Sequence, residues 1–242
     1  MHQYNDQLFV DDIWPGARAL ADYLTARPDA YRGRYVLELG AGAALPGLAV
    51  AADGAAFALI TDFPAPDVVE NIQRLIAANA LTNAAAVGHV WGEDMAPVGD
   101  AAAAHSGDAS RRAFDVVLMA ELLWKDTYPR HRALLTSVAA ALAAGGAAYA
   151  SFAHRPTEPA ADVADAAPPP PPRLPADMPS PSTLPHNACA HTAANDLEFF
   201  ALAEAEFGFD CRTVHTCDRY TDVGGGGAAV TVKIIEMRHR IK

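Results

Sequence analysis

The stretch VLELGAGAALPGL, from Val36 to Leu48, decides the fold. An apolar strand that carries one acid, Glu38, runs into Gly40 and Gly42. Glycines at this point let the backbone turn sharply and approach a ligand at the carboxyl end of a sheet. A dinucleotide fingerprint would place a third glycine where this chain has Leu45, and no Walker lysine follows. The turn therefore favours a ligand without a pyrophosphate, with a purely structural tight turn as the alternative.

Two further side chains are predicted to lie at the same edge of the sheet. Asp62 ends the second predicted strand about 20 residues after the glycines, where a carboxylate can accept hydrogen bonds from both hydroxyls of a ribose. Trp91 ends the third predicted strand, and its indole could stack on a purine base, an interaction worth about 1 to 3 kcal/mol. Trp14 offers the same choice between a ligand contact and an ordinary core position. Together these residues predict a nucleoside-type ligand.

Alternating strand and helix patterns from Val36 to Leu142 predict an α/β fold, a doubly wound, Rossmann-like sheet that is mostly parallel. An antiparallel hairpin is expected at its C-terminal edge, giving seven strands. The predicted strands are Tyr35–Leu39, Ala58–Thr61, Ala86–Trp91, Phe114–Ala120, Ala147–Phe152, Phe209–Thr216 and Val230–Arg238, and the predicted helices are Ala17–Leu24, Asp67–Ala80, the stretch around Leu134–Leu142, and Asp196–Phe207. Gly145 and Gly146 are expected to close the helix before them, and Ala101–Ala104 is expected to be a loop.

Composition and charge bound the class of protein. The chain has 242 residues, of which 51% are hydrophobic, so we expect a single domain over residues 1–242. Residues 156–191, which include PPPPP at Pro168–Pro172, predict a flexible insert within that domain. A net charge of −11 argues against sequence-independent binding of nucleic acid or of a membrane surface. Three cysteines and a start without signal-peptide features predict a cytoplasmic protein, which we expect to be a monomer.

The strand Phe114–Ala120 delivers Glu121 to the carboxyl edge of the sheet, with Trp124 three residues on. Glu121 is placed to orient a cation or an amine, and the alternative is an acid that caps a helix beside a core tryptophan. His154 is interpreted as a structural histidine rather than a base. No metal is predicted, because the possible ligands lack the paired spacing of a zinc site; they are His186, Cys189 and His191.

Several short motifs together resemble the seven-β-strand protein methyltransferases of the lysine methyltransferase class. They are Ile13-Trp14-Pro15, Glu38-Leu-Gly-Ala-Gly42 with Leu45-Pro46-Gly47, Thr61-Asp62-Phe63-Pro64, Glu70-Asn71-Ile72, Trp91-Gly92, Met119-Ala-Glu-Leu-Leu-Trp124 and Ser151-Phe-Ala-His-Arg-Pro156. The similarity is greatest to the nicotinamide N-methyltransferase-like branch, which is associated with methylating the N-terminus and a nearby lysine of translation elongation factor one-alpha. It covers nearly the whole chain.

This resemblance implies S-adenosyl-L-methionine as the cofactor. It implies that Gly40, Ala41 and Gly42 contact the methionine part, Asp62 the ribose and Trp91 the adenine, and that Glu38, Trp14 and Ala120 belong to the same site. Glu121 and Trp124 match the family's acidic-x-x-aromatic motif beside the acceptor amine. The chain departs from the pattern at Trp124, where Tyr or Phe is common, in the length of the proline-rich insert, and in the run Gly224–Gly227.

The expected function is therefore S-adenosylmethionine-dependent N-methylation of a lysine or N-terminal amine of a protein, with elongation factor one-alpha as the expected partner. Three alternatives stay open. A small-molecule amine methyltransferase would share every cofactor residue. An NAD-dependent oxidoreductase would share the sheet but is opposed by the missing third glycine. A non-catalytic binding module would dock partners through Pro168–Pro172.

Overall fold

A computed structural model describes residues 13–123, 127–154, 193–221 and 228–240 of the chain. Its strands are β1 Tyr35–Leu39, β2 Phe57–Asp62, β3 Ala84–Gly88, β4 Phe114–Ala120, β5 Leu142–His154, β6 Phe209–Thr221 and β7 Ala228–His239. Its α-helices are α1 Pro15–Thr25, α2 Leu45–Ala52, α3 Pro66–Ala78, α4 Ala96–Ser106, α5 His131–Ala141 and α6 Ala193–Glu206. Short 3₁₀ turns lie at Pro28–Ala30 and Tyr128–Arg130.

The seven strands form one sheet in the order β3-β2-β1-β4-β5-β7-β6. The pairings from β3 through β5 are parallel, whereas β7 runs antiparallel to both β5 and β6. The strand order reverses between β1 and β4, and ligands of doubly wound sheets bind outside the carboxyl ends of the strands at such a point. The prediction of a mostly parallel, Rossmann-like sheet with an antiparallel C-terminal hairpin is confirmed.

Helices cover both faces of the sheet, as parallel strands require. Alternate residues of β1 face opposite sides, so Leu37 and Leu39 pack with the α4, α5 and α6 side while Val36 packs with the α1 and α2 side. Ile72 and Ile76 of α3 form a smaller cluster with Ile60 of β2. Because Glu38 alternates with Leu37 and Leu39 along β1, its side chain is directed towards α2, on the other face of the sheet from these leucines.

The structure corrects three local predictions. β3 ends at Gly88, so Trp91 lies in the following loop and not at the end of the strand. The stretch Ala101–Ala104 belongs to helix α4 and is not a loop. Helix α5 ends at Ala141, ahead of Gly145 and Gly146, which lie within β5 where the pairing with β4 shifts register.

Gly145 has φ +78°, which a glycine adopts at no steric cost, so it serves the irregular start of β5 and does not cap the helix. Trp124, the proline-rich insert at 156–191 and the run Gly224–Gly227 lie outside the described residues. Within the described part of the chain, no helix is both long enough and apolar enough to cross a bilayer.

Candidate cofactor and acceptor site

The turn after β1 is built from residues with left-handed backbone conformations. Gly40 has φ +60° and Gly42 has φ +51°, and Ala44, directly before helix α2, has φ 59°. A Cβ atom on Gly40 would lie 2.6 Å from Leu122 Cδ2 and 3.0 Å from Trp91 Cζ2. Position 40 therefore requires glycine for two reasons. Its φ angle is positive, and the side chains of Leu122 and Trp91 pack against its Cα.

Asp62 holds this turn directly. Its Oδ2 atom accepts a hydrogen bond of 2.7 Å from the Gly42 N–H, and its Oδ1 atom accepts one of 2.6 Å from the Phe63 N–H. The Ala41 N–H also donates to the Thr61 carbonyl oxygen over 3.0 Å, which ties the turn to the end of β2. Burial raises the pKa of the Asp62 carboxyl, and the two backbone donors oppose that rise. The acid predicted from the sequence to lie at the same sheet edge as the glycine turn is thus in hydrogen-bond contact with that turn.

Trp91 lies in the loop 89–95, between β3 and α4, with its ring beside Gly40 and half-buried. The loop joins the end of β2 through the His89 N–H, which donates to the Asp62 carbonyl oxygen over 2.8 Å. The structure therefore brings together the glycine turn, the Asp62 carboxylate and an indole. Trp91 was predicted to end a strand and lies in a loop instead, but the structure still places its ring at the same sheet edge as Gly40 and Asp62.

Glu38 is placed behind the turn, with 1% of its surface exposed. Its Oε2 atom accepts a hydrogen bond of 2.9 Å from the Gly47 N–H in the first turn of α2, and its Oε1 atom has no hydrogen-bond partner among the described residues. Burial raises the pKa of Glu38 to about 8; the Gly47 N–H lowers it and the charge of Asp62 raises it further. A Cβ atom at Gly47 would overlap Glu38 and come within 2.9 Å of Ile60. Glu38 therefore sets where α2 begins relative to β1.

Glu121 follows β4 with a left-handed backbone, φ 57°, which is unusual for a residue with a side chain. Its Oε1 atom accepts a hydrogen bond of 2.7 Å from the Gly16 N–H, and its Oε2 atom accepts one of 3.2 Å from the Ala153 N–H. Its own N–H donates to the Ser151 carbonyl oxygen over 2.8 Å. The carboxylate thus binds a free N–H of the first turn of α1, which is the helix-capping role that the sequence left as an alternative.

Ser151 completes this arrangement, because its Oγ atom donates to the Gly16 carbonyl oxygen over 2.9 Å. A Cβ atom on Gly16 would lie 2.7 Å from Glu121 Oε1, so only glycine fits between helix and carboxylate. We call the contacts among Gly16, Glu121, Ser151 and Ala153 the α1 latch. Trp14 lies directly before α1, half-buried, and Ala120 ends β4 beside Glu121.

The described residues thus gather most of the predicted site at one sheet edge, and they add two residues to it, Gly16 and Ser151. Sequence patterns assigned these two residues no individual role because their partners lie 105 and 135 residues away along the chain. The side chain of His154 and all of His186, Cys189 and His191 fall outside what the structure describes. Among the described residues, no group of three or more His, Cys, Asp or Glu could hold a metal ion.

The strand order, the antiparallel seventh strand and the glycine turn with its acid define a class I methyltransferase fold. A family model described as lysine methyltransferase matches residues 1–155, and the chain belongs to that family. The protein N-terminal and lysine N-methyltransferase efm7 of Schizosaccharomyces pombe is 33% identical over 132 residues, which are 54% of this chain and 49% of the relative. EFM7 of Eremothecium gossypii is 33% identical over 153 residues, which are 60% of this chain and 55% of that protein.

The chain thus spans about half the length of the curated relatives it matches. Solved structures resemble its fold. The YcgJ protein of Bacillus subtilis superposes with a TM-score of 0.57 at 11% identity, covering 93% of this chain and 100% of that one. The N-terminal domain of EvdMO1, solved with SAH bound, superposes with a TM-score of 0.53 at 20% identity, covering 91% of this chain and 81% of that one.

Proposed function

We propose that this protein is an S-adenosylmethionine-dependent N-methyltransferase that acts on an N-terminal or lysine amine of a protein. The observation that carries the proposal is the hydrogen bond between the Asp62 carboxylate and the Gly42 N–H, beside the bare backbone of Gly40. This pairing suits a nucleoside cofactor, because it offers a carboxylate for ribose hydroxyls and no third glycine for a pyrophosphate. Membership of the lysine methyltransferase family supports the same cofactor.

The residues of the site fit such a group. Gly40 and Gly42, which the positive φ angles favour, carry no side chains, so a ligand can approach the backbone at these two positions. The Trp91 ring beside Gly40 provides a stacking surface for the adenine, and Asp62 provides acceptors for the ribose. Bound there, S-adenosylmethionine supplies an electrophilic methyl group on a sulfonium.

The acceptor must present a neutral amine, since a protonated nitrogen has no lone pair to attack with. An α-amino group, with a pKa of about 8, meets this condition more readily than a lysine side chain at about 10.4. In our proposal Glu121 accepts a hydrogen bond from the amine and holds it in line with the methyl group. A carboxylate accepts up to about four hydrogen bonds, so the two from Gly16 and Ala153 are compatible with this role.

Trp124 is proposed as the aromatic wall beside the amine, on the strength of the acidic-x-x-aromatic motif that it forms with Glu121. The proposed protein substrate is translation elongation factor one-alpha. This choice rests on the resemblance to the branch that methylates it and on relatives whose name is protein N-terminal and lysine N-methyltransferase. We also propose a monomer, and a cytoplasmic location because three cysteines are too few for a disulfide framework.

A transfer assay tests the proposal. In separate reactions, the purified protein is incubated with methyl-labelled S-adenosylmethionine and one acceptor, which is purified elongation factor one-alpha, a cell extract or nicotinamide. We expect label on the elongation factor, and peptide mapping locates it at the N-terminus or at a lysine. Asp62→Asn is expected to lower the rate at subsaturating cofactor roughly tenfold to hundredfold, because a charged acceptor for the ribose is lost.

Asp108→Asn is the matched control, since Asp108 is an exposed acid in the loop before β4, at the opposite edge of the sheet, and should leave the rate unchanged. In the same assay Glu121→Ala should lose transfer while still binding S-adenosylhomocysteine. Label on nicotinamide alone would contradict the methylation of a protein. Label on a different protein would contradict only the choice of substrate. No label on any acceptor would contradict the proposal that the protein is a methyltransferase.

A further inference from the structure

The loop 89–95 that carries Trp91 has one backbone hydrogen bond between its own described residues, in which the Glu93 N–H donates to the Val90 carbonyl oxygen over 3.1 Å. β3 ends at Gly88 and α4 begins at Ala96, so tertiary contacts must fix the indole. Gly92 has φ +83°, and a Cβ atom there would lie 2.9 Å from Ala133 Cβ of helix α5. The loop therefore rests against α5, a helix with no residue among those predicted to touch cofactor or substrate.

Ser137 of α5 bonds the loop on both sides of Trp91. It is completely buried, and its Oγ atom accepts a hydrogen bond of 2.9 Å from the Gly92 N–H. The same Oγ atom lies 2.9 Å from His89 Nε2, and the imidazole tautomer determines which of the two donates. His89 is 6% exposed, and burial lowers its pKa, which keeps the ring neutral at physiological pH.

His89 extends the connection to the cofactor turn. The backbone N–H of His89 donates to the backbone carbonyl oxygen of Asp62. The carboxylate of Asp62 in turn accepts a hydrogen bond from the Gly42 N–H. The Ser137 hydroxyl is thus linked through His89 to Asp62, which is proposed to bind the ribose. Through Gly92 it is linked to the neighbouring Trp91, which is proposed to bind the adenine. One atom of α5, Ser137 Oγ, therefore connects the loop that carries Trp91 with the end of β2 at Asp62.

We propose that Ser137, acting with His89, is a positioning residue that sets Trp91 for binding the adenine of the cofactor. This inference rests on the proposed function and adds a determinant of cofactor affinity to it. Ser137 touches no ligand, and its effect passes through Trp91. Without the hydroxyl, the buried His89 ring loses a hydrogen-bond partner and Gly92 loses its tie to α5, so the indole is no longer held beside Gly40.

Calorimetric titration with S-adenosylhomocysteine tests this role. Ser137→Ala is expected to raise the dissociation constant about tenfold, because the loop loses the hydrogen bonds that join Gly92 and His89 to the serine hydroxyl. The KM for S-adenosylmethionine should rise by a similar factor while kcat at saturating cofactor stays within about twofold, because the acceptor side is untouched. Thr136→Ala is the matched control, since Thr136 is the exposed neighbouring residue on the same helix and should leave both constants unchanged.

A double-mutant cycle separates positioning from general stability. In a Trp91→Ala background, Ser137→Ala should change the dissociation constant less than about twofold, because the residue it positions is gone. An equal loss of affinity in both backgrounds would overturn the inference, and so would unchanged affinity in the single variant. If Ser137→Ala does not fold, His89→Gln and His89→Leu replace it.

Glutamine can still bond the Ser137 hydroxyl and should retain affinity within about threefold, whereas leucine should lose about tenfold. Equal affinities of the two His89 variants would also overturn the inference. A different result would contradict the proposed function itself, namely that the wild-type protein binds no S-adenosylhomocysteine. Binding by the wild type with no effect of these substitutions would reject only the role of Ser137.

Discussion

Glu38 shows how one residue can combine a structural and an electrostatic role. It lies on β1, almost completely buried, with one carboxylate oxygen on the Gly47 N–H and the other without a partner among the described residues. A buried carboxyl with one donor is more stable as the neutral acid, which is why its pKa is raised to about 8. At neutral pH, Glu38 therefore holds α2 mainly in its protonated form.

This protonation predicts a dependence of stability on pH. The pKa of Glu38 rises on folding from 4.5 to about 8, so between these values the folded chain keeps a proton that the unfolded chain has released. Its contribution to stability is full below the lower value and is lost as pH rises towards the higher one. Relative to Glu38→Gln, the free energy of unfolding of the wild type should fall by at least about 1.4 kcal/mol between about pH 5 and pH 8.

Urea denaturation at several pH values measures this difference. Glu70→Gln, at an exposed position on α3, is the matched control and should show no such trend relative to the wild type. A difference between the wild type and Glu38→Gln that stays constant across the range would show that Glu38 does not take up a proton on folding.

At the scale of elements, the α1 latch attaches the first helix to the ends of two strands. Glu121 comes from the end of β4, Ser151 and Ala153 come from β5, and Gly16 presents its N–H and its carbonyl oxygen to them. Trp14 directly precedes the helix, so the latch also determines where that indole lies. The entry of the chain into α1 is thereby fixed relative to the proposed acceptor side.

Gly16→Ala tests the latch. On an open helix surface, alanine in place of glycine stabilises by roughly 0.5–1 kcal/mol. Here the new Cβ would lie within 2.7–2.9 Å of the Glu121 side chain, so we expect the free energy of unfolding to fall by about 1–2 kcal/mol instead. Urea denaturation provides the measurement. In a Glu121→Ala background the obstruction is removed, and Gly16→Ala should become stabilising; the same loss in both backgrounds would contradict the latch.

The elements that could be predicted from the sequence are those with a clear hydrophobic period. β1 and β4 have the predicted bounds because each is a short, mostly apolar run, followed by Gly40 for β1 and by Glu121 for β4. Helix α4 was missed since its sequence, APVGDAAAAHS, has no apolar stripe, although alanine has the highest helix propensity and Gly107 ends the helix with φ 71°. Contacts such as that of Glu121 with Gly16 join distant parts of the chain, and no local pattern predicts them.

At the scale of the whole molecule, the proposed cofactor site joins three strands near the middle of the sheet. Gly40 follows β1, Asp62 ends β2 and Ala120 ends β4, so a ligand bound there would contact elements from well-separated parts of the chain. The alternation of strands and helices allowed this sheet edge to be predicted, because parallel strands bring their carboxyl ends together. The position of Trp91 in a loop, and the contacts of Ser137 on α5 with that loop, could not be predicted in the same way.

Ligand binding across these strands should stabilise the folded chain. With S-adenosylhomocysteine at a hundredfold excess over its dissociation constant, the gain is about 2.7 kcal/mol, which corresponds to a rise in Tm of roughly 5–10 °C for a chain of this size. Differential scanning fluorimetry measures the shift. Asp108→Asn should show the same rise and Asp62→Asn a smaller one at equal ligand concentration. An unchanged Tm of the wild type would contradict the proposed cofactor.

The place of β7 has a consequence for synthesis. β7 is the seventh strand in chain order, yet it lies inside the sheet, between β5 and β6. While a ribosome is still translating Ala228–His239, β5 has an open edge and β6 has no strand to pair with. The sheet can therefore be completed only after these residues emerge, and a nascent chain stalled before them would expose two unpaired edges to aggregation or to chaperones.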